Sequence, residues 1–132
     1  MKTLTETFKL LTDELRLRIL MLLDRKELSV CQLMGITGAS QPLVSRNLAI
    51  LYKGGFLDER RDGKLRFYSI RKDLSKDKTA LLDLVRTQLK TAGRYMGDIA
   101  TLKECSEFQK KKGTCDMKTL QEFIEWKKTK TK

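Results

Sequence analysis

One stretch, Ser40 to Gly55, constrains the fold of this chain more than any other. It reads SQPLVSRNLAILYKGG and carries both the start and the stop signals of a helix. Ser40 is a good N-cap, and Pro42 falls in the first turn, where its missing N–H costs no hydrogen bond. The pair Gly54-Gly55 ends the helix. The sequence therefore predicts a single helix between these signals.

The predicted helix has an apolar side and a polar side. The apolar stripe consists of Leu43, Leu48 and Leu51, with Val44 beside it. The polar set, predicted to lie clear of that stripe, consists of Gln41, Ser45, Arg46 and Asn47. Such side chains pair with base edges and phosphates, so the helix is predicted to read DNA, with Ser40 at its start.

The plainer alternative is an ordinary amphipathic surface helix. Against it, no Asp or Glu occurs from Leu28 through Leu57, although charged residues make up 34% of the chain. An acid-free run in so charged a protein favours a face that is held near phosphate.

The charge balance supports the same interpretation. The 132 residues, which indicate one domain, include 28 Lys and Arg against 17 Asp and Glu, a formal charge of +11. This excess is typical of a nucleic-acid binder. No apolar run approaches the ~20 residues that span a bilayer, and the N-terminal segment has no cleavage-site pattern. We therefore expect a cytoplasmic protein with no membrane partner.

The composition also argues against an enzyme. The chain has no histidine, so every catalytic or metal scheme that requires imidazole is excluded. Neither a phosphate-binding glycine loop nor a paired-carboxylate cluster is recognisable, and we find no catalytic constellation.

Helical and extended patterns surround the central helix. They predict a first helix around Leu4, Phe8 and Leu11, a second from Asp13-Glu14 to Lys26, a short extended segment Glu27–Val30, and a third helix Cys31–Thr37. The turn Thr37-Gly38-Ala39 then leads into the Ser40 helix. Two short helices joined by a glycine-containing turn are typical of the helix-turn-helix.

A basic hairpin follows the central helix. Asp62-Gly63 is a strong two-residue turn within the segment 56–70. Its cations are Arg60, Arg61, Lys64 and Arg66. A solvated hairpin is the alternative, but cations crowded at one tip repel each other unless an anion is near. The hairpin is therefore predicted to be a wing that contacts DNA.

The C-terminal part predicts a dimer seam. From about Ser75, apolar residues recur at intervals of three and four: Leu82, Val85, Leu89, Ala92, Met96 and Ile99. We expect them to pair two chains, helped by Leu4 and Phe8. Beyond the seam we expect a loop at Lys110–Gly113, a last helix carrying Met117, Leu120 and Ile124, and a disordered basic end from Lys127. The predicted fold is mainly α with a small β-hairpin: a homodimeric winged helix-turn-helix in residues 1–92 and a C-terminal extension in 93–132.

The order of these motifs resembles the ArsR/SmtB family of bacterial metal- and metalloid-responsive repressors. The resemblance rests on ELSVCQL, SQPLVSRNLAIL, GGFL and RRDGKLRFYSI, and it runs from about Phe8 to about Ala92. It implies a homodimer that binds a palindromic double-stranded operator and releases it when an inducer binds. Ser45-Arg46-Asn47 stands where the family usually has Ser-Arg-His.

The resemblance also suggests where an inducer binds. Arsenic-sensing members carry Cys-Val-Cys in the segment aligned with Glu27–Leu33; here Cys31 is the second cysteine and Ser29 replaces the first. The family's zinc-type site needs histidine, so it cannot exist in that form. Soft thiolates suit soft metalloids, and a site made of Cys31, Cys105 and Cys115 would use every cysteine present. We therefore expect arsenic(III) or antimony(III) as inducer and no obligatory cofactor.

Three alternatives remain open at this stage. Cys31 could be a small buried hydrophobe while the tail thiols are incidental. Cys105 and Cys115 could instead form a redox-responsive disulfide in a repressor of the same fold. Finally, the protein could be a ligand-independent DNA-binding module.

Overall fold

The fold is built from helices around a small antiparallel sheet. In this computed structural model of the chain, the structure describes residues 2–90, 92–112 and 122–127. The elements are α1 (Lys2–Leu10), α2 (Glu14–Arg25), β1 (Leu28–Ser29), α3 (Val30–Thr37), α4 (Gln41–Lys53), β2 (Leu57–Asp62), β3 (Leu65–Ile70), α5 (Lys76–Leu89) and α6 (Gly93–Lys112). Residues 122–127 are also helical. The prediction of a mainly helical fold with a β-hairpin is confirmed.

The helix boundaries follow from local capping. The Asp13 carboxylate accepts a hydrogen bond from the Arg16 backbone N–H at 3.1 Å and starts α2. A capping box starts α3: the Ser29 N–H donates to Gln32 Oε1 at 2.8 Å, and the Gln32 N–H donates to Ser29 Oγ at 3.3 Å. Gly38 ends α3 with φ of 76°, a left-handed conformation that favours glycine.

The core lies between α2, the helix-turn-helix and the sheet. Its largest contribution is the α2 segment Ile19–Leu23, which packs with buried side chains of α3, α4 and β2 such as Leu33, Leu48 and Leu57. The strand order is β1-β3-β2, with both pairings antiparallel. The hairpin turns at Gly63, whose φ is 62°. This frame fixes the wing beside α4.

The buried side of α4 differs from the predicted stripe. Leu43 is 50% exposed, whereas Asn47 is only 5% exposed. The buried residues are Val44, Asn47, Leu48 and Leu51. Successive residues of a helix are about 100° apart around its axis. Asn47 and Leu51, three and seven residues after Val44, therefore lie on nearly the same face as Val44, whereas Leu43 lies to one side of that face. The predictions that Leu43 faces the core and that Asn47 lies clear of it are therefore wrong.

The residues of the predicted seam do not lie on one helix. The helix stops at Leu89 and restarts at Gly93, so Leu82, Val85 and Leu89 lie in α5, Met96 and Ile99 lie in α6, and Ala92 lies in the break between them. Leu82 is buried in the chain's own core, whereas Met96 is 61% exposed. Gly93 and Gly97 weaken a continuous helix, and the break lets α6 fold back against α2 and α3.

The fold-back brings C-terminal residues into the main core. Leu102 and Cys105 of α6, together with Phe123, belong to the same buried cluster as α2. Arg18 donates to both carboxylate oxygens of Asp98 at 2.9 Å, so a buried ion pair ties α6 to α2. No helix in the described part of the chain is long and apolar enough to cross a membrane.

The C-terminal predictions divide into three outcomes. The loop predicted from Lys110 is wrong for residues 110–112, because α6 continues to Lys112. Ile124 lies in the helical segment 122–127, and Phe123 is buried there. Lys127, predicted to begin the disordered end, is helical, so that prediction is wrong at this residue. The predictions for Gly113, Cys115, Met117 and Leu120 and for residues 128–132 fall outside the described residues.

Candidate DNA-binding surface and thiol site

The helix-turn-helix presents one side of α4 to solvent. Gln41, Ser45 and Arg46 are exposed, while Val44 and Leu48 hold the helix against the core. Ser40 occupies the N-cap position, but its side chain makes no capping hydrogen bond. The Ser40 hydroxyl is therefore not used by the helix start and lies at the exposed end of α4.

A groove runs between the start of α3, α4 and strand β3. It has a volume of about 400 Å³. We call it the reading groove, and the residues that matter for function are Cys31, Gln41, Ser45, Ala49, Lys64 and Arg66. Gln41, Ser45 and Ala49 are four residues apart, so they form one wall along a single side of α4. The groove therefore joins the predicted reading helix to the wing.

The strand register separates the wing cations onto two faces. Arg61 pairs with Arg66 across the hairpin, whereas Arg60 pairs with Phe67. Since side chains alternate along a strand, Arg66 shares the face of buried Tyr68 and Arg60 points to the opposite face. The four cations therefore do not form the single cluster that the sequence suggested.

Arg60 is already neutralised by an acid. Its guanidinium donates to Glu27 at 2.8 Å and lies 4.7 Å from the centre of the Phe67 ring. The hydrogen bond with Glu27 raises the pKa of Arg60, and the same bond lowers the pKa of Glu27. A carboxylate with a lowered pKa stays charged even below its ordinary titration range, so this pair is present at neutral pH and is lost only as the pH falls through the lowered pKa.

The other wing cations are more available. Arg66 lies 3.6 Å from Glu59, a loose pair on the surface. Within the described residues, Arg61 and Lys64 make no ion pair, and both are exposed. Arg61 and Lys64 are thus the wing cations best placed to meet phosphate.

Asn47 makes its contacts inside the protein. Arg16 Nε donates to Asn47 Oδ1 at 3.1 Å, and Asn47 Nδ2 donates to the Leu43 carbonyl at 3.1 Å. Arg16 Nη1 also donates to the carbonyls of Lys9 at 3.2 Å and Leu10 at 3.1 Å. One guanidinium therefore connects the end of α1 with the side of α4.

Sequence reasoning missed Lys53. This lysine is exposed in the last turn of α4, seven residues after Arg46. Seven residues make almost two helical turns, so both cations lie on the same outward side. The spacing from Arg46 was the signal that could have identified Lys53 as a further cation on this side of α4.

The cysteines occupy different environments. Cys31 is partly exposed and lines the reading groove, and Cys105 is 3% exposed in the core. Among the described residues, no three His, Cys, Asp or Glu side chains are grouped to hold a metal ion. Cys115 lies outside the described residues. Ser29, which replaces the first family cysteine, is used as the buried N-cap of α3.

A helix-turn-helix joined to a basic hairpin defines the class of winged helix-turn-helix DNA-binding proteins. A family model described as "Bacterial regulatory protein, arsR family" matches residues 13–59, from the start of α2 into β2. A relative that is 34% identical over 76% of the chain, an arsenic resistance transcriptional regulator, shows that the chain belongs to the ArsR family. It is a DNA-binding transcriptional regulator, and not an enzyme.

Several proteins with assigned roles are similar to the chain. The arsenic resistance transcriptional regulator ArsR2 of Pseudomonas putida is 34% identical over 101 residues, which are 76% of this chain and 85% of that protein. The arsenical resistance operon repressor of Escherichia coli is 44% identical over 66 residues, 49% of this chain and 56% of that protein. The cadmium resistance transcriptional regulatory protein CadC of Listeria innocua is 43% identical over 65 residues, 48% of this chain and 55% of that protein. The chain thus spans only a little over half the length of the last two.

Solved structures share the fold. HlyU from Vibrio cholerae matches with a TM-score of 0.60 and 28% identity over 68% of this chain and 95% of that one. The homodimeric winged helix-turn-helix DNA-binding domain Mb0332 from Mycobacterium bovis, a possible ArsR-family regulator, matches with a TM-score of 0.57 and 29% identity over 70% and 82% of the two chains.

Proposed function

We propose that this protein is a transcriptional repressor that binds a double-stranded operator as a homodimer and releases it when arsenic(III) or antimony(III) binds its thiols. One observation carries the proposal: Cys31 lies in the same groove as Gln41, Ser45 and Arg66. A ligand on that thiol would reach the DNA-reading surface without a long-range relay.

The DNA contacts follow from exposure and charge. Arg46, Gln41 and Ser45 enter the major groove, while Ser40 at the start of α4 meets the backbone. Arg61, Lys64 and Arg66 act on phosphates from the wing. Arg60 contributes less because Glu27 neutralises it, and Asn47 acts through packing rather than by touching DNA.

Arg46 provides the first test. If it makes a bidentate base contact, Arg46→Ala weakens operator binding by roughly 1–3 kcal/mol and relaxes the preference at one base position. Lys103→Ala, which removes the same charge from an exposed site on α6, is the matched control. Unchanged affinity and preference in Arg46→Ala would refute this docking of α4.

The dimer rests on exposed apolar side chains. Leu4 and Phe8 on α1 and Leu84 on α5 are about half exposed. Leu4 and Phe8 are four residues apart and therefore share one side of α1. We expect Phe8→Glu to produce monomers with weak operator binding, measured by sedimentation and by titration. A wild-type protein that is monomeric at micromolar concentration yet binds the whole operator would contradict the dimer.

The inducer is proposed from thiol chemistry. A thiolate is a soft ligand, and Cys31 is accessible from the reading groove. Cys105 and Cys115 are the further proposed ligands, and Cys105 must leave the core to take part. Induction requires the ligand to bind the free protein more tightly than the DNA-bound protein, with a typical coupling of 1–3 kcal/mol. Because thiols lose protons on ligation, affinity should rise with pH across the thiol range.

Serine replacements decide among the inducers. Operator complexes of the wild type, Cys31→Ser, Cys105→Ser and Cys115→Ser are titrated with arsenite, antimonite, cadmium and peroxide. The proposal expects arsenite and antimonite to release wild-type protein but not Cys31→Ser. If arsenite releases Cys31→Ser from the operator at the same arsenite concentration as the wild type, Cys31 is a packing residue and not a ligand. If peroxide alone releases the wild type from the operator, and Cys105→Ser and Cys115→Ser no longer respond to peroxide, the redox alternative is correct.

A further inference from the structure

Leu43 is an apolar side chain at the surface of α4. It is the third residue of α4 and is half exposed, in the turn that also carries Gln41. Val44 and Asn47 occupy the buried side of that turn, and Leu43 lies outside the core.

The backbone that carries Leu43 is held in place. Its carbonyl accepts a hydrogen bond from Asn47 Nδ2 at 3.1 Å, and Asn47 is in turn bound by Arg16. An apolar side chain is therefore presented to solvent from a fixed point at the start of the reading helix.

Leu43 differs in position from three other exposed apolar residues. Leu4, Phe8 and Leu84, which we assign to dimerisation, lie on α1 and α5. Leu43 lies on α4 within the acid-free run, three residues before Arg46, so the two side chains are neighbours on the helix surface. Its surroundings indicate a nucleic-acid contact rather than a protein contact.

The major groove offers one apolar group to such a side chain. N-terminal residues of a reading helix meet base edges, and thymine alone presents a C5-methyl group there. We propose that Leu43 contacts a thymine methyl group in each operator half-site and so selects thymine at that position. This inference rests on the proposed DNA-binding function and adds a base preference to it.

Uracil scanning tests the contact, because uracil keeps every hydrogen-bonding group of thymine and lacks only the methyl. An operator is first selected from a random duplex pool with full-length wild-type protein. Each thymine is then replaced by uracil, symmetrically in both half-sites, and Kd is measured for the wild type, Leu43→Ala, Leu43→Met and Ser45→Ala. Leu43→Met keeps an apolar side chain of similar size, and Ser45→Ala is a control that alters the same helix elsewhere.

The expected pattern is specific to one base position. Losing one methyl contact corresponds to about a fourfold rise in Kd, or about fifteenfold for both half-sites. Wild type, Leu43→Met and Ser45→Ala should show this loss on the same uracil duplex. Leu43→Ala should bind the thymine duplex more weakly and be insensitive to uracil.

Two results would overturn the inference while leaving the proposed function intact. In one, no uracil substitution changes wild-type Kd. In the other, Leu43→Ala keeps the full sensitivity to uracil, which would assign the methyl contact to another residue. Failure of the wild type to select any sequence would refute the proposed function itself, and this inference with it.

Discussion

Asn47 stands where sequence reasoning placed a DNA contact and where the structure shows an internal one. The informative change is Asn47→Ala. It removes the acceptor for Arg16 Nε and the donor to the Leu43 carbonyl, and it leaves the exposed side of α4 unaltered. We expect lost stability with an unchanged base preference.

The size of the loss follows from the two hydrogen bonds. A bond to a charged donor contributes about 1.5–3 kcal/mol, and a neutral one about 0.5–1.5 kcal/mol. The lower end of each range applies here, because Arg16 keeps its hydrogen bonds to the carbonyls of Lys9 and Leu10 and is only partly buried. The Leu43 carbonyl is also a main-chain acceptor within α4. We therefore expect about 2 kcal/mol, which corresponds to roughly 6–10 °C in Tm for a domain of this size.

Thermal and urea unfolding of the wild type, Asn47→Ala, Arg16→Ala and the double variant measures this loss. The pair should be non-additive, because either single change already breaks the bond they share. Asn47→Asp keeps the Oδ1 acceptor and should lose less stability than Asn47→Ala. All samples are compared at one protein concentration, since the proposed dimer would make Tm depend on concentration.

Operator selection with the same variants provides the decisive contrast. If Asn47→Ala melts within 1 °C of the wild type, on the scale of about 6–10 °C expected above, and loses preference at one base pair, Asn47 reads DNA directly. That result would refute the structural interpretation. A lower Tm with the wild-type base preference would support it.

Two further predictions concern charge. Lys64→Ala should lower the salt slope of operator binding by about 1, whereas Arg60→Ala should leave the slope nearly unchanged, because Glu27 already neutralises Arg60. For the same reason, Glu27→Gln should strengthen binding at low salt. Equal slopes for Arg60→Ala and Lys64→Ala would contradict the neutralisation of Arg60. Asp98→Ala should destabilise the protein by about 3 kcal/mol in urea unfolding, because it leaves the largely buried Arg18 without its ion-pair partner. A variant that unfolds like the wild type would show that this ion pair does not hold α6 against α2.

Local signals in the sequence determined most of the DNA-binding unit. Asp13, Gly38 and the Asp62-Gly63 turn mark boundaries that depend on neighbouring residues only, and the structure has boundaries there. Capping and turn formation involve groups a few residues apart, so they can be predicted without the rest of the fold. The acid-free run and the basic excess likewise need no coordinates to indicate a nucleic-acid partner.

The faces of the elements were decided only by the tertiary structure. Whether Leu43 or Asn47 enters the core depends on where α1 and α2 approach α4, and Arg16 supplies the polar partner that makes a buried asparagine stable. A sequence pattern shows which residues share a side of a helix, but an arginine 31 positions away in the chain gives no local signal.

The fold-back of α6 depended on distant contacts in the same way. The spacing of Leu82 to Ile99 is equally compatible with one long helix and with two helices. The ion pair from Arg18 to Asp98 and the burial of Cys105 favour two helices, and they join residues far apart in sequence. Local periodicity could therefore identify the helical segments, while long-range packing alone decided which partners their apolar sides would meet.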